Sequence, residues 1–134
     1  MRYLVQAQTG DEVKQKYLKI IMECLKENPV APAEIEQMKS GKIPESEQPK
    51  CLLACAYRKS GMMDSAGKLS IDGVKQVSQR YFANNPEKLK KSEEFIEACK
   101  SVNDEAVSDG DKGCERAALI FKCTVEKAPG FDLI

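Results

Sequence analysis

Six cysteines, Cys24, Cys51, Cys55, Cys99, Cys114 and Cys123, punctuate a chain of 134 residues, leaving gaps of 26, 3, 43, 14 and 8 residues. An even count in so short a chain points to disulfides formed in an oxidising compartment. Of the many possible pairings, helical geometry removes some. Cys51 and Cys55 stand four apart, so on a helix they leave one face toward neighbours on that side. Cys114 and Cys123 are nine apart, which on a helix is about 180° around the axis and roughly 13.5 Å along it. A disulfide needs Cα atoms within about 7 Å. These two therefore bond to different partners, on opposite sides of their helix.

The helical premise comes from the pattern between the cysteines, where strand-like alternation is missing and helix starts and stops recur. A first helix is expected from Asp11, its N-cap, to Lys26, with Val13, Tyr17, Ile20 or Ile21 and Cys24 on one face, stopped by Asn28-Pro29. A short second helix fits Pro32 to Lys39, and 41–45 is a linker. The third begins between Glu45 and Pro49 and ends at Lys59 or Ser60, with Gly61 as its C-terminal cap. After the loop Met62 to Leu69, Ser70 caps a fourth helix carrying Ile71, Val74, Val77 and Tyr81 and ending near Asn84. Asn85-Pro86 starts a fifth that should reach Val102, with Leu89, Phe95, Ile96 and Cys99 inward. A polar loop covers 103–113. The sixth, from near Asp111 to Lys127, holds Ala117-Ala118-Leu119-Ile120-Phe121, apolar on every side, and is expected to be the most buried element. The fold class is all-α, and 134 residues suit one domain.

Several function classes fall away. Lys plus Arg equals Asp plus Glu at 21 each, which removes the electrostatic attraction that nucleic acid or anionic lipid requires. With no histidine, His-dependent triads, His metal ligands and a histidine pH switch are excluded. Cys51-x3-Cys55 lies within the loose range of zinc spacings, but structural zinc sites place such pairs in turns rather than mid-helix, so no metal is expected. Redox chemistry of the thioredoxin kind wants a Cys-x2-Cys beside a parallel sheet. The acidic pairs Glu93-Glu94 and Asp109-Asp111 read as solvated faces, so no catalytic residue and no enzyme is expected. A calcium loop at Asp64 fails because ligand positions fall on Ala66 and Lys68. No apolar run is long enough to span a membrane, and there is no N-glycosylation sequon. Tyr3-Leu4-Val5 is too short for an intact secretory signal, so residues 1–9 read as a flexible N-terminus, a signal remnant around Ala7, or a cloning remnant.

The cysteine spacing as a whole, Cys24, Cys51-x3-Cys55, Cys99 and Cys114-x8-Cys123 in a helical chain of this length, resembles the insect odorant-binding proteins, the general odorant and pheromone-binding group. The x3 and x8 gaps are its specific part, while the gaps of 43 and 14 sit toward the long end of the family range. MMDSAGKL after the third helix is similar to the family's hydrophobic, Asp, Gly, Leu turn. The resemblance covers Asp11 to Ile134 and implies the bridges Cys24–Cys55, Cys51–Cys114 and Cys99–Cys123. It also implies a six-helix domain enclosing an apolar cavity, with no cofactor. Such a protein carries small hydrophobic molecules, volatile alcohols, aldehydes, esters or fatty-acid derivatives, through an extracellular fluid such as sensillar lymph. Further partners would be an odorant receptor or a second copy of the chain. The alternative is a secreted helical carrier or scavenger of other lipophilic molecules in a non-olfactory fluid.

Bridges also make physical sense for a hollow protein, since an empty interior forfeits about 24 cal/mol per Å³ and each bridge contributes roughly 2–4 kcal/mol without filling the space. The expected ligand-facing set is Met62 and Met63, Val74, Val77 and Tyr81, then Ala118, Phe121 and Val125, with Phe131 and Leu133 from a C-terminal tail that folds back as a lid. Methionine suits such a wall because its side chain is flexible and polarisable. Tyr57 and Ser78 are available as polar anchors for a ligand oxygen, although the pattern places each on the surface. Protonation of Asp132 or the terminal carboxylate would loosen the lid well below pH 6.

Overall fold

The computed structural model describes residues 15, 16 and 18–127, and within them the side chains of Lys39 and Tyr81 are not described. The expected start of the first helix, with Val13 and Tyr17, the remnant at 1–9, and the tail at 128–134 with Phe131 and Leu133 lie outside the described residues. Helix α1 runs to residue 27. It is followed by α2 (Pro32–Lys39), α3 (Glu47–Ser60), α4 (Ile71–Phe82), α5 (Pro86–Cys99) and α6 (Cys114–Lys127), with 3₁₀ turns at Lys100–Asp104 and Gly110–Lys112. No strand forms among the described residues, where a lone antiparallel bridge joins Met63 to Leu69.

Local chemistry sets most of these boundaries. The Ser70 hydroxyl accepts the Gly73 N–H at 3.0 Å and starts α4, and Asn85 Oδ1 accepts the Lys88 N–H at 3.1 Å and starts α5. Gly61 closes α3, with Met62 N–H returning to the Tyr57 carbonyl at 2.8 Å. Two expected boundaries need correction. Helix α5 ends at Cys99 rather than Val102 because the chain tightens into a 3₁₀ turn there. Helix α6 begins at Cys114 rather than Asp111, because Gly113 takes φ +83°, a conformation that interrupts helical winding. Asp109 then serves the helix from outside, its Oδ2 accepting the Glu115 N–H at 3.0 Å.

Among the described elements the most extensive packing is α3 against α6, followed by α4 against α5. The expectation that α6 alone would be the most buried element is also corrected: seven residues of α3 and seven of α6 are buried. The reason is that α3 buries two faces. Leu53, Ala54 and Tyr57 join the main apolar core with Phe95, Ile120 and Phe121, whereas Leu52 and Ala56 join Cys24 and the α1 residues Ile20, Ile21 and Leu25. Met38 of α2 packs against both clusters.

The three bridges span this arrangement. Cys24–Cys55 ties α1 to α3, Cys51–Cys114 ties α3 to α6, and Cys99–Cys123 ties α5 to α6, with Cα separations of 5.8, 4.3 and 5.8 Å. These are the pairs that the family resemblance implies. Polar ties reinforce the loops between. Asn103 holds the backbone of Leu69 from both sides, its Oδ1 accepting the Leu69 N–H at 2.8 Å and its Nδ2 donating to the Leu69 carbonyl at 3.0 Å. The buried guanidinium of Arg116 donates from Nη1 to the carbonyls of Val102 and Glu105, closing the end of the first 3₁₀ turn.

Candidate functional site

The loop after α3 brings the first part of the expected ligand set inward. Asp64 Oδ1 accepts the N–H groups of Ala66 and Lys68 at 2.9 and 3.0 Å, which folds the loop on itself so that Met63 pairs with Leu69. The Asp64 carboxylate is thus a turn-former. Met62 and Met63 are left 3% and 4% exposed in the main core, together with Val74 of α4 and Phe121 of α6. Val77 is half-buried and packs against the same cluster.

The remaining expected positions separate. Ala118 is buried but belongs to neither apolar cluster. Val125 faces outward, 39% exposed, because it stands near the end of α6, beside Gly41, where an added Cβ would come 3.1 Å from its Cγ1. Tyr81 lies on α4 with its side chain not described.

The two polar anchors expected at the surface are both interior, which is a correction. Tyr57 is buried in the main core because its α3 position faces α6. Ser78 is buried against Ser92 of α5, and the two hydroxyls share a short hydrogen bond. Ser92 carried no signal in the sequence beyond its place one turn before Phe95; a hydroxyl survives burial there only because another hydroxyl stands opposite. Leu69 and Phe95 are equally central and equally absent from the expected set.

A second feature runs along α3, from buried Cys51 and Ala54 to a charged rim. Cys51, Ala54, Cys55, Arg58 and Lys59 form one stripe at helical spacing. With Glu27 and Asn28 from the end of α1 and Lys112 and Cys114 from the start of α6, they line a cleft of about 370 Å³. The bridges Cys24–Cys55 and Cys51–Cys114 join its two walls to its floor. Glu27 Oε2 lies 3.2 Å from the Cys55 sulfur. Cys24, Glu27 and Cys55 bring their heteroatoms close enough for a metal, but both sulfurs are spent in the disulfide and offer no thiolate.

One member of each acidic pair has a structural partner. Glu94 stands 3.8 Å from Lys91, and Asp109 holds the first turn of α6. Among the groups that titrate, the Lys112 ammonium holds the Glu47 carboxyl below its ordinary range by a hydrogen bond of 2.5 Å and by charge, and Lys112 is raised in return. Glu115 is lowered as its Oε2 accepts the Ser108 hydroxyl at 2.6 Å and the Ser108 N–H at 2.8 Å.

Comparison with known proteins agrees with this architecture. The PBP/GOBP family model matches residues 6–127. General odorant-binding protein 28a of Drosophila melanogaster is 28% identical over 120 residues, covering 90% of this chain and 80% of the relative. General odorant-binding protein 19d of the same species is 28% identical over 113 residues, 83% of this chain and 72% of the relative. The solved structure of the Drosophila 28a protein superposes with a TM-score of 0.68 at 26% identity, covering 93% of this chain and 99% of that one. A pheromone-binding protein of the cockroach Leucophaea maderae shares the fold with a TM-score of 0.66 at 20% identity, over 86% of this chain and 94% of its own.

Proposed function

The chain belongs to the PBP/GOBP family, and from that premise we propose that it is an extracellular carrier of small hydrophobic molecules, odorants or pheromones, held among its helices and moved through aqueous fluid to receptors. The observation that carries the reading is the set Met62, Met63, Val74 and Phe121, contributed by the α3–α4 loop, α4 and α6 to one apolar cluster, with half-buried Val77 against it. Two of these are methionines, whose unbranched side chains re-pack at low cost around guests of different shape. The same interior holds the Ser78–Ser92 hydroxyl pair and Tyr57, which suit an alcohol, aldehyde, ester or acid oxygen better than a pure hydrocarbon.

The relatives are odorant-binding proteins rather than enzymes, and no described helix is long and apolar enough to cross a membrane. Tyr81, Ala118 and the tail residues Phe131 and Leu133 belong to the proposal on the strength of sequence alone, the last two as a lid; Val125 takes part only if that tail covers it. The test is the affinity of N-phenyl-1-naphthylamine for wild type and for Val74→Phe, which fills interior space at a fully buried position. Probe affinity should fall about tenfold or more while the helical circular dichroism spectrum is kept. Unchanged affinity would remove Val74 and its neighbours from the ligand site. Deleting the last four residues should weaken binding or abolish its response to acid between pH 7 and 4.

A further inference from the structure

The cleft along α3 has a floor of core residues, Cys51, Ala54 and Cys114, and a rim that is cationic. Among the described lining residues, Arg58, Lys59 and Lys112 supply three positive charges against the carboxylate of Glu27, although the chain as a whole is neutral. The two lysines are engaged by carboxylates outside the lining, Lys59 with Glu23 at 3.4 Å and Lys112 with Glu47 at 2.5 Å. Both pairs are solvent-exposed, and exposed pairs of this kind hold their partners weakly, so either ammonium can be redirected. Arg58 differs. Its described bond is to a neutral acceptor, the Asp111 carbonyl, at 2.5 Å from Nη2. That contact fixes the guanidinium against the 111–113 turn and uses one donor of five, leaving the others for a planar anion.

The floor completes the recognition surface. Ala54 and the sulfurs of Cys51 and Cys55 are apolar or only weakly polar, and they lie between the cations and the end of α1. Because two bridges join both walls to α3, the cleft is held open with little freedom to collapse. That is the preorganisation that lets a small site bind without a large ordering cost. Its volume, about 370 Å³, falls at the small end of ligand sites, enough for about ten to fifteen heavy atoms.

We infer that this cleft is a second ligand site, for a small amphiphilic carboxylate. The carboxylate pairs with Arg58 and draws on Lys59 or Lys112, and the short apolar body lies over Ala54 and the two disulfides. The site differs from any interior carrier site in its charged rim of Arg58, Lys59, Lys112 and Glu27, while its floor of Cys51, Ala54 and Cys114 backs onto the cluster that holds Met62 and Phe121.

The test is an NMR titration of the ¹⁵N-labelled full chain with sodium octanoate, with and without saturating N-phenyl-1-naphthylamine to occupy the interior, and a parallel titration with 1-octanol. Octanoate should shift the amides of residues 51–59 and 112–114 saturably whether or not the naphthylamine is present, and octanol should not shift them. Arg58→Gln should weaken that response about tenfold or more. Glu27→Gln, which removes the one carboxylate among the described lining residues, should strengthen it several-fold. Absent or non-saturating shifts, the same shifts with octanol, loss of the response when the interior is filled, or equal affinity in wild type and both variants would each overturn it.

Discussion

At the scale of single residues, the positions that decide most are polar groups placed where polarity is costly. Ser78 and Ser92 satisfy one another inside the α4–α5 interface. Ser78→Ala should therefore destabilise by roughly 1–3 kcal/mol, because it strands the Ser92 hydroxyl, whereas the double change Ser78→Ala with Ser92→Ala should recover much of that loss. Urea denaturation of the two single variants and the double variant checks the cycle; additive losses would mean that the pair does not interact. Arg116 is the other case. Its charge is buried against carbonyls rather than a carboxylate, so Arg116→Met should lower stability by about 2–4 kcal/mol. The midpoint of thermal unfolding reports that loss. Neither role was legible in the sequence. A serine and an arginine on helices are read as surface residues, and only the partner across the interface reverses that reading.

Among elements, the joint between α3 and α4 sets how closely the fold can close. A Cβ added at Gly73 would lie 1.7 Å from the Gly61 carbonyl oxygen, so Gly73→Ala should force α4 away from the end of α3. An alanine inside a helix ordinarily gains about 1 kcal/mol over glycine; here the change should cost about 2–4 kcal/mol, measured by denaturation. Glu115 contributes to the acid response of the 105–113 segment. Its carboxyl is lowered by Ser108, so it contributes stability that is full above its ordinary value near 4.5 and is lost as pH falls through its folded-state value. Glu115→Gln should start less stable at pH 7 and lose less on acidification below pH 4.5; an identical acid limb in both proteins would contradict this. Helix existence and caps were legible here, since Ser70, Asn85 and Gly61 carry their signals in sequence. The shift of the α6 start to Cys114 was not, because helical periodicity does not register the left-handed turn at Gly113. Nor could periodicity show that α3 buries two faces, and that is what places Tyr57 inside.

Over the whole molecule, the bridges and the apolar core perform complementary tasks. The loops they close, 31, 63 and 24 residues apart in sequence, correspond to roughly 3–4 kcal/mol each in the chain-entropy account, the longest contributing most. Replacing Cys51 and Cys114 together by alanine should therefore cost more than replacing Cys99 and Cys123, as thermal unfolding of the two double variants would show. That difference also follows from position, since Cys51–Cys114 joins the two helices with the most extensive packing among those described. The family and fold were legible because disulfide spacing is discrete, and Cys51-x3-Cys55 with Cys114-x8-Cys123 can be read directly from the sequence. Burial was partly legible: Met62, Met63, Val74, Phe121 and the inward-expected Phe95 fall in the core and Val125 does not; the ligand-facing set stays a proposal, because a core position and a wall position share the same apolar periodicity. The central claim is that this interior accepts a small apolar guest. Its most direct test is displacement of bound N-phenyl-1-naphthylamine from the wild-type protein at neutral pH by alcohols and esters of about 8 to 16 carbons. The account predicts saturable probe binding, followed by loss of its fluorescence as at least one chain length competes; a probe that fails to bind, or that no apolar compound displaces, would contradict it.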